Sequence, residues 1–512
     1  MKPIKISGAG MKKLTIVALP LALLAVLFAD GCKDNAPSGP TPGLGSVTVT
    51  KYVSIGNSLT AGWQSNGLYE SAQIYSYPNL IAGQLVKAGA GIDAFKQPLW
   101  RDPGTPDPNT GFASRLQIIS LNGPVIAPAN EAVTAAGPTD AATLPRPYDN
   151  LGIPGIPLAG FMDTTGTYQA SPLGDKAILR WNNPGSPFPK SVFLQVKAMQ
   201  PKPDLITFWL GANDVLGFAT SGGVSPSTPT DPAIFQFLYA QALDSLRANF
   251  PNAKIIVGNI PRVETVPFFT TVGPLMAEGI AGARKLSSAI QGLYYQKHTD
   301  ANVGTGLTQL TEPFHPLITL KGIAYAELLG QPTGQWYRDI AAANHVPLAA
   351  VIPPQIDTTK PFGFHPQNPW PNALALDSTE QAMAEAAINS FNTTISTVAA
   401  SKGAVLFDAN ALLVELNTSG YNADGSLLTS EYIAGGAFSL DGIHPSDRGY
   451  GVVANEIIKV MNSRFGMSVP LVDINSLPGI PAPLSKVSPD RVPVISYSAF
   501  KDFDWLFRQS NQ

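Results

Sequence analysis

The chain has 512 residues, 44% of them hydrophobic and 13% charged, with a formal net charge of −3. This is enough apolar material for a substantial core, and a length that one α/β domain with long insertions can reach. Lys and Arg form no basic run outside the extreme N-terminus, which excludes an electrostatic footprint for nucleic acid.

In chain order, Lys12 and Lys13 lead into an apolar stretch over 14–29, the pattern of an export signal and too short for a comfortable membrane span. The only cysteine, Cys32, follows in the run Ala29-Asp30-Gly31-Cys32. A sole cysteine placed there argues against disulfides, cysteine-rich zinc sites and a cysteine nucleophile in the folded body. The run resembles the lipobox of bacterial lipoproteins, although Ala29 stands where Leu is preferred and Asp30 where a small residue is preferred. The resemblance implies a signal peptide over 1–31, lipidation of Cys32 and a Pro-, Gly- and Ser-rich tether over 32–45. Lys33-Asp34 is similar to the acidic flag of surface-exported lipoproteins. The expected location is the cell envelope, anchored by lipid to the bacterial outer membrane on its periplasmic or outer face. Ordinary signal cleavage would instead leave a secreted protein with a free thiol.

A buried strand is predicted over 46–55, ending at a Gly-Asn-Ser turn, and a helix over 77–87 with Leu80, Ile81, Leu85 and Val86 at helical spacing. Residues 89–148 are dominated by Pro, Gly, Asn and Asp and read as a long covering loop with little regular structure. An apolar strand over 205–210, a helix over 232–249 and a strand over 254–260 follow. Residues 261–377 are irregular apart from a helix near 276–297. A helix over 381–402 and a strand over 404–407 precede a final helix after His444-Pro445, with Ser446 as its N-cap. The tail over 467–512 is Pro-rich, ends in Phe500, Phe503, Trp505 and Phe507, and is expected to pack back on a domain spanning 46–466. Alternating strands and helices with apolar strands mean a mostly parallel sheet between helical layers, with working groups on loops beyond the carboxyl ends of the strands.

Four short motifs fall at such places. Gly56-Asn57-Ser58-Leu59 follows the first strand, and a serine at a tight turn exposes its hydroxyl and offers its own N–H to an oxyanion. Asn150-Leu151-Gly152-Ile153-Pro154-Gly155 holds a glycine able to supply another backbone N–H. Gly211-Ala212-Asn213-Asp214 places an amide donor after a strand. Asp441-Gly442-Ile443-His444-Pro445 puts an acid three residues before a histidine, close enough to fix its tautomer while the other ring nitrogen takes a proton from serine. Each motif alone is also an ordinary turn. Glu312-Pro313-Phe314-His315 is a rival acid–histidine pair, and His365-Pro366 lacks an acid at the matching position. Only His444 opens directly into an amphipathic helix after the last strand.

Taken in order, the four motifs resemble the blocks of the SGNH (G-D-S-L) hydrolase family, spread from residue 52 to about 462. The resemblance implies a three-layer α/β/α fold of flavodoxin-like appearance and hydrolysis of esters or thioesters. It makes Ser58 the nucleophile, His444 the general base and Asp441 its orienting acid. The oxyanion hole would be Ser58 N–H, Gly155 N–H and the Asn213 side chain. Asn57 departs from the aspartate of the family's first block. The insertions at 89–148 and 261–377 are expected to form a lid or deep pocket, and aromatics such as Trp100, Phe112, Phe268, Phe269, Trp336, Phe362, Phe364 and Trp370 either line it or anchor loops. The leading expectation is an exported esterase or lipase acting on acyl esters, with a lipid or an acylated glycan as substrate. Carbohydrate acetylesterase, acyltransferase and a non-catalytic surface-binding module are the alternatives. No feature calls for a metal or organic cofactor.

Overall fold

A computed structural model of the chain describes residues 41–102, 104–105, 115–120, 125–128, 147–165, 191–224, 228–297, 305–313, 315–479 and 494–495. The expected signal peptide, Cys32, Phe112 and the four aromatics of the extreme C-terminus lie outside the described residues.

The central sheet consists of β1 (Tyr52–Gly56), β2 (Asn150–Gly152), β3 (Leu205–Trp209), β4 (Lys254–Gly258) and β5 (Val405–Phe407). Their order is β5-β4-β3-β1-β2, and every neighbouring pair is parallel. Every residue of β1 and β3 is buried. Their sequences, apolar but for Ser54 and Thr207, suit a parallel sheet covered on both faces. The principal helices are α1 (Ser58–Ala61), α2 (Tyr77–Lys87), α3 (Asn213–Thr220), α4 (Pro232–Asn249), α5 (Val272–Leu286), α6 (Ser378–Ser401), α7 (Ala409–Thr418) and α8 (Asp447–Phe465). Helix α2 packs on α8, whereas α3 and α4 pack on α6, and both α6 and α8 touch β5. The result is the expected three-layer α/β/α fold.

Local chemistry fixes the helix ends. At the start of α6, Asp377 accepts from the N–H groups of Thr379 and Glu380 at 2.8 and 3.0 Å, and Glu380 accepts from Asp377 N–H at 2.6 Å. This reciprocal cap satisfies donors that the first turn leaves open. Ser446 Oγ accepts from Gly449 N–H at 3.1 Å to start α8, which stops at Gly466 with φ +69°. Beyond that stop, Gly43 and Ser468 exchange two backbone hydrogen bonds, at 3.2 and 2.8 Å.

Several expectations need correction. The first strand begins at Tyr52 rather than at residue 46, because Asp204 takes the N–H groups of Thr50 and Lys51 at 2.7 and 3.1 Å and draws them out of the ladder. The helix expected near 276–297 is displaced to α5, and Leu293–Gln296 instead pairs antiparallel with Thr305–Thr308. Ser287, Gly292 and the adjacent tyrosines 294 and 295 favour ending the helix and starting a strand there. Within 89–148, Leu116–Ser120 and Val125–Pro128 form an antiparallel pair, and Val494–Ile495 adds to it in parallel. From 467 to 479 the chain buries Met467, Val469, Val472, Ile474 and Leu477.

Candidate active site

Ser58 sits where β1 turns into α1. Glycine is needed at position 56, since a Cβ there would come within 1.9 Å of Thr60 Oγ1 and 2.8 Å of Trp209 O. Asn57 caps the short helix. Its Oδ1 accepts from Leu59 N–H at 3.0 Å and its carbonyl from Thr60 and Ala61 N–H at 3.1 and 3.0 Å. An aspartate would accept the same side-chain bond, so the amide replaces it without leaving the cap unmet. The back of α1 is held by a Thr60 Oγ1–Tyr77 hydroxyl bond at 2.8 Å and by Asn150 Nδ2 donating to Thr60 O at 2.9 Å.

From the other end of the chain, the loop before α8 brings His444 to the serine. His444 Nε2 lies 2.8 Å from Ser58 Oγ, and His444 Nδ1 lies 3.0 Å from Asp441 Oδ2. A proton on Nδ1 satisfies both contacts, donated to the carboxylate while Nε2 accepts from the hydroxyl. Ser58, His444 and Asp441 are 2%, 1% and 0% exposed, so the line is shielded from bulk water. Burial alone would push Asp441 upward. The electrostatic attraction of the adjacent His444 and the hydrogen bonds from His444 and from Ile443 N–H outweigh it and hold the carboxyl below its ordinary range. Such a line can pass a proton from the serine hydroxyl to the imidazole as the oxygen attacks.

The remaining sequence candidates are placed as follows. Gly155 has φ +80° and stands after Pro154 in a turn closed by Ile156 N–H donating to Ile153 O at 3.2 Å. Asn213 Nδ2 donates to Ile156 O at 2.9 Å, tying that turn to the start of α3. Asn213 and Ser58 both face the cavity described below, and Gly155 is not among its lining residues. The neighbouring Asp214 is raised to about 6 by burial, against hydrogen bonds from Leu158 N–H and the Thr230 hydroxyl. It thereby joins two loops to α3. The rival pair does not assemble: His315 Nδ1 contacts Pro316 O at 3.0 Å, while Glu312 accepts from Thr308, Gln309 and Thr311. His365 Nδ1 accepts from Gln367 N–H at 3.2 Å. Among the described residues, no group of three His, Cys, Asp or Glu side chains is placed to hold a metal.

A cavity of about 810 Å³, counted with its open mouth, begins at Ser58 and His444. Apart from Asn57, Ser58, Asn213 and His444 its wall is almost wholly hydrocarbon, chiefly Leu412, Leu413 and Leu416 of α7 with Ile443, Val452 and Val453 around α8. The indole nitrogen of Trp209, which lines the cavity, is already bonded to Asn259 O at 2.8 Å. This departs from the expectation that the two insertions shape the pocket. Of the described residues of 261–377 only Pro261, Val263 and Val266, at its start, reach it, and no described residue of 89–148 does. The insertion aromatics anchor loops instead: Phe268 against Phe269 at 5.0 Å, Trp336 against Tyr325 at 5.5 Å and Phe362 against Trp370 at 5.5 Å. Sequence reasoning missed α7 as a wall, although Ala409, Leu412, Leu413 and Leu416 carry the i, i+3, i+4, i+7 signal of one helical face.

Among curated proteins nothing matches the chain. The family model described as GDSL-like Lipase/Acylhydrolase matches residues 52–303, a stretch that contains Ser58, Gly155 and Asn213 and ends before Asp441 and His444. With the parallel α/β/α fold, this match supports placing the chain among the SGNH hydrolases, a family of ester-hydrolysing enzymes.

Proposed function

We propose that the protein is an exported serine esterase or lipase that hydrolyses carboxylic esters with Ser58 as nucleophile, His444 as general base and Asp441 as the acid orienting it. The observation that carries this reading is the Ser58–His444–Asp441 hydrogen-bonded line at the head of an apolar cavity. Ser58 Oγ attacks the ester carbonyl while His444 takes its proton. The oxyanion is received by Ser58 N–H and the Asn213 amide, with Gly155 N–H as the third donor that the family resemblance implies, and His444 returns the proton to the departing alcohol. Water then repeats the sequence on the acyl-enzyme. The hydrocarbon wall favours an acyl chain over a sugar, so a lipid ester is preferred to an acetylated glycan as substrate. No cofactor takes part in these steps.

Export and anchoring through a lipid on Cys32 complete the proposal, on the strength of the apolar stretch over 14–29 and the run before Cys32. Metabolic labelling with a clickable fatty acid tests it: label on the wild type and none on Cys32→Ser supports the anchor. For the activity, turnover of p-nitrophenyl acetate and butyrate by the wild type, and its loss in Ser58→Ala, is the expected result. A folded but inactive wild type that also fails to react with a fluorophosphonate overturns the serine mechanism and leaves binding without catalysis. Reaction with the fluorophosphonate but no hydrolysis moves acyl transfer to the front.

A further inference from the structure

The polypeptide makes a tight turn shortly after Ser58 whose conformation the nucleophile itself does not demand. Gln64 and Gly67 exchange backbone hydrogen bonds at 3.0 and 2.9 Å, and the two residues between them, Ser65 and Asn66, have φ of +47° and +63°. Two consecutive left-handed residues make a turn of the I′ kind, in which glycine is favoured and serine is not. Such a conformation persists where surrounding contacts over-determine it. Here those contacts lead to the acid. Asn66 N–H donates to Asp441 Oδ2 at 3.0 Å, the same oxygen that meets His444 Nδ1. Ser65 N–H donates to Ser439 Oγ at 2.9 Å, and the Ser439 hydroxyl donates onward to Asp441 Oδ1 at 3.2 Å. The turn and Ser439 are buried, at 7%, 1% and 2% exposure for Ser65, Asn66 and Ser439.

Asp441 Oδ1 also accepts from Ile443 and His444 N–H, both at 2.9 Å. Those donors belong to its own loop and move with it. The Asn66 amide and the Ser65–Ser439 relay come from the segment that carries the nucleophile. They are the contacts that register the carboxylate against Ser58, one on each oxygen, so that neither rotation of the carboxyl nor a slide of the loop is free. Building on the serine-esterase reading above, we propose that Ser439 and the Ser65-Asn66 turn are positioning residues that lock Asp441 in register with the nucleophile.

The test is steady-state hydrolysis of p-nitrophenyl butyrate by the full chain, with circular dichroism to establish folding. Ser439→Ala removes one donor to a buried carboxylate, so kcat should fall on the order of 10- to 100-fold with KM little changed. Ser439→Thr, which keeps the hydroxyl, should recover most of the loss. Asn66→Gly, which keeps both the N–H and the left-handed preference, should be far more active than Asn66→Val. The deciding comparison is an Asp441→Asn background, in which Ser439→Ala should cost almost nothing further, because both changes act through one group. A full additional loss in that background, a rise in KM at constant kcat, or a threonine variant no better than alanine overturns the proposal. If the wild type itself is silent, the serine-esterase reading fails and takes this inference with it. An active wild type with an unimpaired Ser439→Ala sinks the inference alone.

Discussion

If the acyl chain of the substrate lies in the cavity behind Ser58, its length should be read directly in the kinetics, and the wall of α7 should set that reading. Leu413 is 5% exposed and faces the cavity alongside Leu412 and Leu416. Each methylene carried from water into such a wall is worth about 0.8 kcal/mol, or about fourfold in kcat/KM. From acetate to octanoate the six added methylenes sum to about 5 kcal/mol, an upper limit of about 3,000-fold. Because this binding is shared by ground and transition states, most of it should appear in KM. Leu413→Trp pushes an indole into the space the chain would take and should flatten the series while acetate hydrolysis survives. Leu413→Ala should displace the optimum to longer chains, at a stability cost of about 2–5 kcal/mol. The assay is a p-nitrophenyl ester series from acetate to palmitate, read as kcat/KM. A series that stays flat in the wild type, or a Leu413→Trp profile that superimposes on it, would refute the assignment of the cavity to the acyl group.

Three further outcomes are expected. Asn57→Asp should retain activity within a few-fold, since a carboxylate can accept the Leu59 N–H, whereas Asn57→Ala should lose the cap, about 1 kcal/mol, and with it part of kcat. Gly152→Ala should impair activity and lower Tm together, because the new Cβ would meet Ala61 N at 2.2 Å and Thr60 C at 2.6 Å, backbone atoms of the helix bearing Ser58. Glu380 is raised to about 8 by burial, opposed by the Asp377 N–H and reinforced by the Asp377 charge. The folded protein therefore holds a proton between about pH 4.5 and 8 that the unfolded chain has released, and stability should fall as pH rises through that window. Thermal melts of Glu380→Gln should lack this slope, and an unchanged slope would show that another group is responsible.

The sheet was legible where burial made the sequence unmistakable. Residues 205–209 and 254–258 are dense in β-branched and aromatic side chains, and helix α2 was marked by the helical spacing of Leu80, Ile81, Leu85 and Val86. Strand β2 was not recognised as a strand. Asn150-Leu151-Gly152 is too short to show a period and is held at the sheet edge by β1 alone. Ser58, Asp441 and His444, which the fold brings into one hydrogen-bonded line, are the residues that motif order singles out. The pocket wall was not legible, because apolar residues lining a cavity and apolar residues filling a core leave the same pattern in a helix. The Ser65-Asn66 turn was equally silent: neither residue type announces a left-handed conformation, and its partners at 439–441 are brought near only by the fold.

The backbone clasp between Gly43 and Ser468 ties the start of the described chain to the far end of helix α8. Helix α8 has the His444 loop at its first turn and this clasp just beyond its last, and its 19 residues measure about 28 Å. The polypeptide thus enters the folded body at the opposite end of a rigid strut from the reacting groups. Fixing the protein to a bead or a chip through residue 43 itself would put the attachment point one helix length from the His444 loop. Turnover by the immobilised enzyme should then match turnover in free solution.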